Sequence, residues 1–187
     1  MLSPPERFVW DNICMSIAHS SRAANLLGAV ATGLVDRFRE AGDWSDSARA
    51  ALVQLADHPG LTVEGLRRRM GLTHSATVRM VTQLEAQGQV RRGASAHDRR
   101  AVALRLTPAG MATADGLLAQ RGAVLADALS VLSPTERRLL EGLLDRVLDQ
   151  LPDSADRATT ICRLCDLRAC PQSRCPVERS YLRHLDP

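Results

Sequence analysis

The chain has 187 residues, of which 45% are hydrophobic and only 3% aromatic, with a formal net charge of +3. That is enough apolar mass for one ordinary domain with an appendage, and it excludes a disordered or fibrous chain. A core drawn from Leu, Val and Ala rather than aromatic or β-branched residues suits packed helices better than sheets. All 24 cationic side chains are arginine, which a G+C-rich coding sequence explains without appeal to function.

Residues Met1 to Arg7 lack the basic start and apolar run of a signal peptide. The longest apolar stretch, near Leu26 to Val35, is broken by glycines and too short to span a bilayer. No membrane partner is expected. Val9, Ile13, Ile17, Ala24, Leu27, Ala31, Leu34 and Phe38 recur at three- and four-residue spacing, interrupted only at Ser20. The spacing predicts one long amphipathic helix. A second helix is expected from Trp44 to Ala56, capped by Asp43 or Ser45 and stopped by His58-Pro59-Gly60.

The most informative block runs from Leu61 to Gly110. Thr62 can cap a short helix that Gly71 ends in a left-handed turn. Thr73 then opens a second helix in which Thr77, Met80, Val81 and Leu84 form the packing stripe. The opposite face carries His74, Ser75, Val78, Arg79 and Gln83, groups able to hydrogen-bond base edges or touch a thymine methyl. Two helices joined by so tight a turn place the second in a DNA major groove. After Gly88 the period changes to alternation, so Val90 to Arg92 and Arg99 to Leu106 predict a hairpin. Val102, Leu104 and Leu106 are expected on its inner face, with Arg92, Arg99 and Arg100 at a solvent-facing tip. A guanidinium there suits a narrow minor groove. Asp98 can pin a neighbouring arginine in the inserting rotamer.

The run from Leu84 through Gly88, Asp98-Arg99-Arg100 and Leu106-Thr107-Pro108-Ala109-Gly110 resembles the winged helix-turn-helix of the MarR family of bacterial transcriptional regulators. With the flanking long helices, the resemblance covers about residues 6 to 151. It implies that Asp98 and Arg100 form the wing pair, Arg100 entering the minor groove, and that a small apolar or phenolic effector is a possible partner. Gln89 and Gln83 depart from the family's usual leucine and a common arginine at those positions.

Pro108 opens a helix reaching about Val131, and Ser133-Pro134-Thr135-Glu136 restarts the chain with a capping-box pattern. Leu140, Leu143, Leu144, Val147, Leu148 and Leu151 form the next stripe. A compact reader does not need these extra helices, so a two-fold dimer is the expected cover for them. Two recognition helices would then read a palindromic operator on double-stranded DNA, half-sites about one turn apart.

Four of the five cysteines fall close together in the tail, as Cys162, Cys165, Cys170 and Cys175 with spacing C-x2-C-x4-C-x4-C. In a reducing compartment this points to metal rather than disulfides. Tetrahedral zinc fits the spacing, which equals that of a zinc knuckle with its histidine replaced. An iron-sulfur cluster is the alternative, supported by Cys170-Pro171 and Cys175-Pro176; uncoordinated redox thiols are a third reading. Cys14 reads as a buried small residue.

The expected fold is therefore mainly α, a winged helix-turn-helix with long N- and C-terminal dimerisation helices and one β-hairpin wing. The expected parts are an N-terminal dimerisation helix (1–42), the DNA-binding lobe (43–107), C-terminal dimerisation helices (108–151) and a cysteine-rich metal-binding tail (152–187). The expected function is a homodimeric regulator, a repressor in the first reading, in the cytoplasm and associated with the nucleoid. It would respond to a small ligand or to the metal or redox state of the tail. The competing class, a metal- or redox-dependent enzyme using the tail cysteines, has little support. Four thiolates leave no open zinc position, and the five histidines show no ligand or triad spacing.

Overall fold

The computed structural model describes residues 21–40, 44–94, 102–170 and 172–185. It is mainly helical, with one two-stranded antiparallel hairpin among the described residues. Two compact units make up the chain, residues 1–41 and 42–187.

In the first unit the described part is helix α1 (Arg22–Glu40). Arg37 and Arg39 occupy its last turn, where cations complement the helix dipole. None of its residues is buried, and Leu26, Leu27, Val30 and Val35 are exposed. The earlier part of the predicted long helix, with Val9, Ile13, Cys14 and Ile17, lies outside the described residues.

The second unit begins with α2 (Asp46–Asp57), capped by Ser45, whose side chain accepts from Ala48 N–H at 3.2 Å. Helices α3 (Val63–Met70) and α4 (His74–Ala86) follow, then strands β1 (Val90–Ala94) and β2 (Val102–Leu106). Leu52, Leu55, Leu66, Val81, Leu84 and Leu104 meet in one core and are almost wholly removed from water. Each such side chain contributes about 1.5–3 kcal/mol of transfer free energy. The three helices and the hairpin therefore form one packed body.

The hairpin differs from its predicted facing. Leu104 is buried and Leu106 packs against the core, but Val102 is 48% exposed while Ala103, on the opposite face, is fully buried. The reason is a neighbour beyond the hairpin. Thr62 forms a bridge with Ala103, Leu104 N–H donates to Leu61 O at 2.8 Å, and Gly60 N–H donates to Leu104 O at 3.0 Å. β2 thus lies between β1 and the segment entering α3, and Val102 extends past that cover.

Helix α5 (Pro108–Ala128) starts at Thr107, which also ties it to the hairpin: Thr107 N–H donates to Gln89 O at 2.9 Å and its hydroxyl to Gly88 O at 2.6 Å. Helix α6 (Pro134–Gln150) has the predicted capping box, with Ser133 N–H donating to Glu136 Oε2 at 2.8 Å. No residue of α6 is buried, and Leu139, Leu143, Leu144 and Val147 are exposed. The tail folds as α7 (Ala155–Ile161), 3-10 turns at Cys162–Leu164 and Gln172–Arg174, and α8 (Pro176–Arg183). It forms its own small core of Ala158, Cys175 and Val177, on which Leu148, Ile161 and Tyr181 pack.

Candidate nucleic-acid interface

The turn between α3 and α4 is built from hydrogen bonds that only a left-handed residue permits. Gly71 has φ 62°; its N–H donates to Arg68 O and the next N–H, of Leu72, donates to Arg67 O, both at 3.2 Å. This is a Schellman ending, in which glycine accepts the positive φ without a Cβ penalty. Arg67 Nη1 adds a 3.3 Å bond to Leu72 O across the same turn. Two residues later Thr73 caps α4, accepting from Ala76 N–H at 3.3 Å, while buried Thr77 donates its hydroxyl to Thr73 O at 2.9 Å. The entry angle of α4 is thereby held at both its cap and its first buried residue.

Thr77, Met80, Val81 and Leu84 are buried, as their spacing predicts. His74, Ser75, Arg79 and Gln83 are exposed with Thr73, and Val78 is half-buried. The predicted reading residues therefore share a solvent face of α4. Thr82 is exposed on that face too; it lies three residues beyond Arg79, a spacing signal that the prediction passed over.

The arginines are more constrained than their sequence positions suggest. Arg92 is not at a free tip: its Nε donates to Glu85 Oε2 at 2.8 Å, tying β1 back to α4. Arg67 forks onto Glu64 at 2.8 and 2.9 Å, and Arg68 shares that carboxylate at 3.1 Å. These bonds hold the Glu64 carboxyl down at about 2. Asp98, Arg99 and Arg100 lie outside the described residues. Gln89, at the base of the hairpin, accepts from Thr113 Oγ1 at 2.8 Å, so this residue serves the joint with α5.

A model of the MarR family matches residues 45–101. A proposed transcriptional regulatory protein for the hcr operon of Thauera aromatica is 31% identical over 144 residues, 72% of this chain and 85% of the relative. The chain belongs to the MarR family. A MarR family protein from Bacillus stearothermophilus has a similar solved structure, with TM-score 0.63 and 27% identity over 70% of this chain and 94% of that one. FabT of Streptococcus pneumoniae, solved in complex with DNA, shares the fold at TM-score 0.60 and 19% identity, covering 70% and 95% of the two chains. The exposed face of α4 is thus the outer face of a MarR-type winged helix, and the hairpin is its wing. No helix among the described residues is long and apolar enough to cross a membrane.

Beyond the ordinary winged helix, this MarR chain gathers Cys162, Cys165, Cys170 and Cys175 along one cleft of about 160 Å³. Cys162 and Cys170 pack against the small core that contains Cys175. The neighbouring Cys162 thiol draws Cys165 down to about 7, helped by the charge of Arg121, while Cys165 and burial push Cys162 up. Burial and the nearby Cys175 raise Cys170 to about 11. Among the described residues no three His, Cys, Asp or Glu side chains stand in a ready-made metal shell.

Proposed function

We propose that this chain is a homodimeric transcriptional regulator that binds a palindromic site on double-stranded DNA through α4 and the wing. The observation that carries the reading is the division of α4: one side is locked into the core, while Ser75, Arg79 and Gln83 stand exposed on the other. Short polar and cationic side chains on a rigid helix are the instruments of base readout in a major groove. FabT's complex with DNA and the regulatory role proposed for the Thauera relative support the same reading.

The homodimer is supported by unclaimed apolar surface. Two long helices, α1 and α6, have apolar stripes and no buried residue. Amphipathic helices of this length gain most of their stability by covering such a stripe. A second copy offers matching stripes, and two-fold pairing sets two copies of α4 for two half-sites.

Selection from a random-sequence duplex library with the full-length protein tests this reading. The expected winner is an inverted repeat with half-sites roughly 10–10.5 base pairs apart, or a multiple of that. Arg79→Ala should weaken binding to it by about 5–150-fold, the equivalent of about 1–3 kcal/mol for a lost base contact. Recovery of no common sequence, or equal affinity for selected and scrambled duplexes, would overturn the proposal.

A further inference from the structure

We propose that the four tail thiols form a tetrathiolate site for one zinc ion, and that the ion fastens the DNA-reading body to helix α6. The four ligands come from two segments held by different neighbours. Cys162 and Cys165 follow α7, which packs on α3, and the 3-10 turn at Cys162–Leu164 packs on α2. Leu164 joins the main core, and Thr160 sits at the helix-turn-helix itself: a Cβ on Gly71 would lie 3.5 Å from Thr160 Oγ1. Cys170 and Cys175 lead instead into α8, which packs on α6. There Arg179 reaches Asp145 at 2.7 Å and Asp149 at 3.3 Å, and Arg183 donates to Asp149 Oδ1 at 3.1 Å and Asp149 O at 2.6 Å. The two segments already meet: α7 packs on α8, and Cys162 packs against the small core that contains Cys175.

The chemistry of the cleft selects the ligand. Four sulfur donors favour a borderline-soft ion without geometric preference of its own, and zinc closed by four cysteines is the structural form of that site. Cys165 N–H donates to Cys162 O at 3.0 Å, a tight turn that keeps the first pair side by side. Asp57 lines the same cleft with a buried Oδ2 that has no hydrogen-bond partner among the described residues. Binding draws the four thiols of the cleft inward to four sulfur–zinc bonds, and the four thiol protons pass to solvent. No electron is transferred. A tail of so few residues has little core of its own, so the binding free energy of the ion becomes folding free energy of the joint.

The test uses full-length protein purified in reducing buffer and needs no DNA. Elemental analysis should find one zinc per chain, and cobalt loaded in its place should give the ligand-field spectrum of a tetrahedral tetrathiolate. Cys165→Ser and Cys175→Ser should each weaken zinc binding beyond the roughly 10–100-fold that loss of an outer partner costs. Should either variant fail to fold, cobalt titration of chelator-stripped wild-type protein reports the same site. Hydrogen exchange on that stripped protein should speed up in α7, in α8 and along the α6 face around Asp145 and Asp149, and zinc should restore protection. Colourless protein without metal that leaves all four thiols reactive in the presence of zinc would overturn the site, as would iron and sulfide in place of a single ion. Zinc that binds without altering exchange in α6 would overturn the fastening.

Discussion

Gly110 lies where two backbones approach more closely than a side chain allows. It is buried in the first turn of α5, and a Cβ built on it would fall deep inside the van der Waals radius of the Gln89 carbonyl oxygen and close to its carbon. Because the obstacle is backbone, no rotamer change relieves it; Gly110→Ala must push α5 away from the hairpin base. That separation strains the bonds from Thr107 to Gln89 O and Gly88 O. Overpacking costs about 1–3 kcal/mol, and two weakened hydrogen bonds add about 0.5–1.5 kcal/mol each. Alanine's better helix propensity returns up to about 1 kcal/mol, leaving a net loss of about 1–6 kcal/mol, about 3 kcal/mol at mid-range. For a protein of this size the mid-range loss should lower the melting temperature by about 5–15 °C. Gly116→Ala on the same helix is the control, since nothing lies within 4 Å of its added Cβ. It should gain up to about 1 kcal/mol from helix propensity. Thermal melts followed by circular dichroism measure both. A Gly110→Ala variant melting within about 2 °C of wild type would refute the close approach of α5 to the wing base.

Ser133→Ala removes the side-chain half of the α6 capping box, leaving the backbone N–H bond to Glu136 in place, and should cost about 1 kcal/mol in urea denaturation. Glu64 titrates at about 2 in the folded chain, below its ordinary 4.5. Its contribution is complete above pH 4.5 and is lost as the pH falls toward 2. Glu64→Gln should therefore flatten that part of the curve of melting temperature against pH, with the two proteins diverging above it. On the dimer reading, Leu143→Glu places a charge in the exposed stripe of α6 and should shift the mass seen by light scattering from twice the 20.3 kDa chain to one chain. Glu85→Gln leaves Arg92 without its charged partner on α4. Because the pair is exposed, its melting temperature should change by less than about 4 °C, while proteolysis within the wing should quicken.

Much of the fold was legible because its signals are local. Thr62, Thr73, Thr107 and Ser133 each cap the helix they precede, and capping depends on a hydroxyl and the next few amides. Gly71 marks the turn for the same reason, and the buried stripe of α4 follows from a period that any helix imposes. The candidate reading face is simply the complement of that stripe. The facing of Val102 and Ala103 was not legible, since it depends on Thr62, a residue forty positions away in sequence, closing on the far edge of β2. Nor did Arg92 announce its tie to Glu85, which exists because the hairpin folds back on α4.

The sequence alone determined that there is a winged helix-turn-helix, which residues of α4 point outward, and that four cysteines share one short tail. These follow from helix period, cap chemistry and spacing. Only the tertiary structure decided where that tail goes. Its first pair of thiols is held on α2 and α3 by Leu164 and its second is tied to α6 through Arg179 and Arg183. Such placement arises from long-range packing and ion pairing between segments that carry no mark of each other in sequence. Spacing shows that four thiols can meet; packing determines which helices their meeting joins.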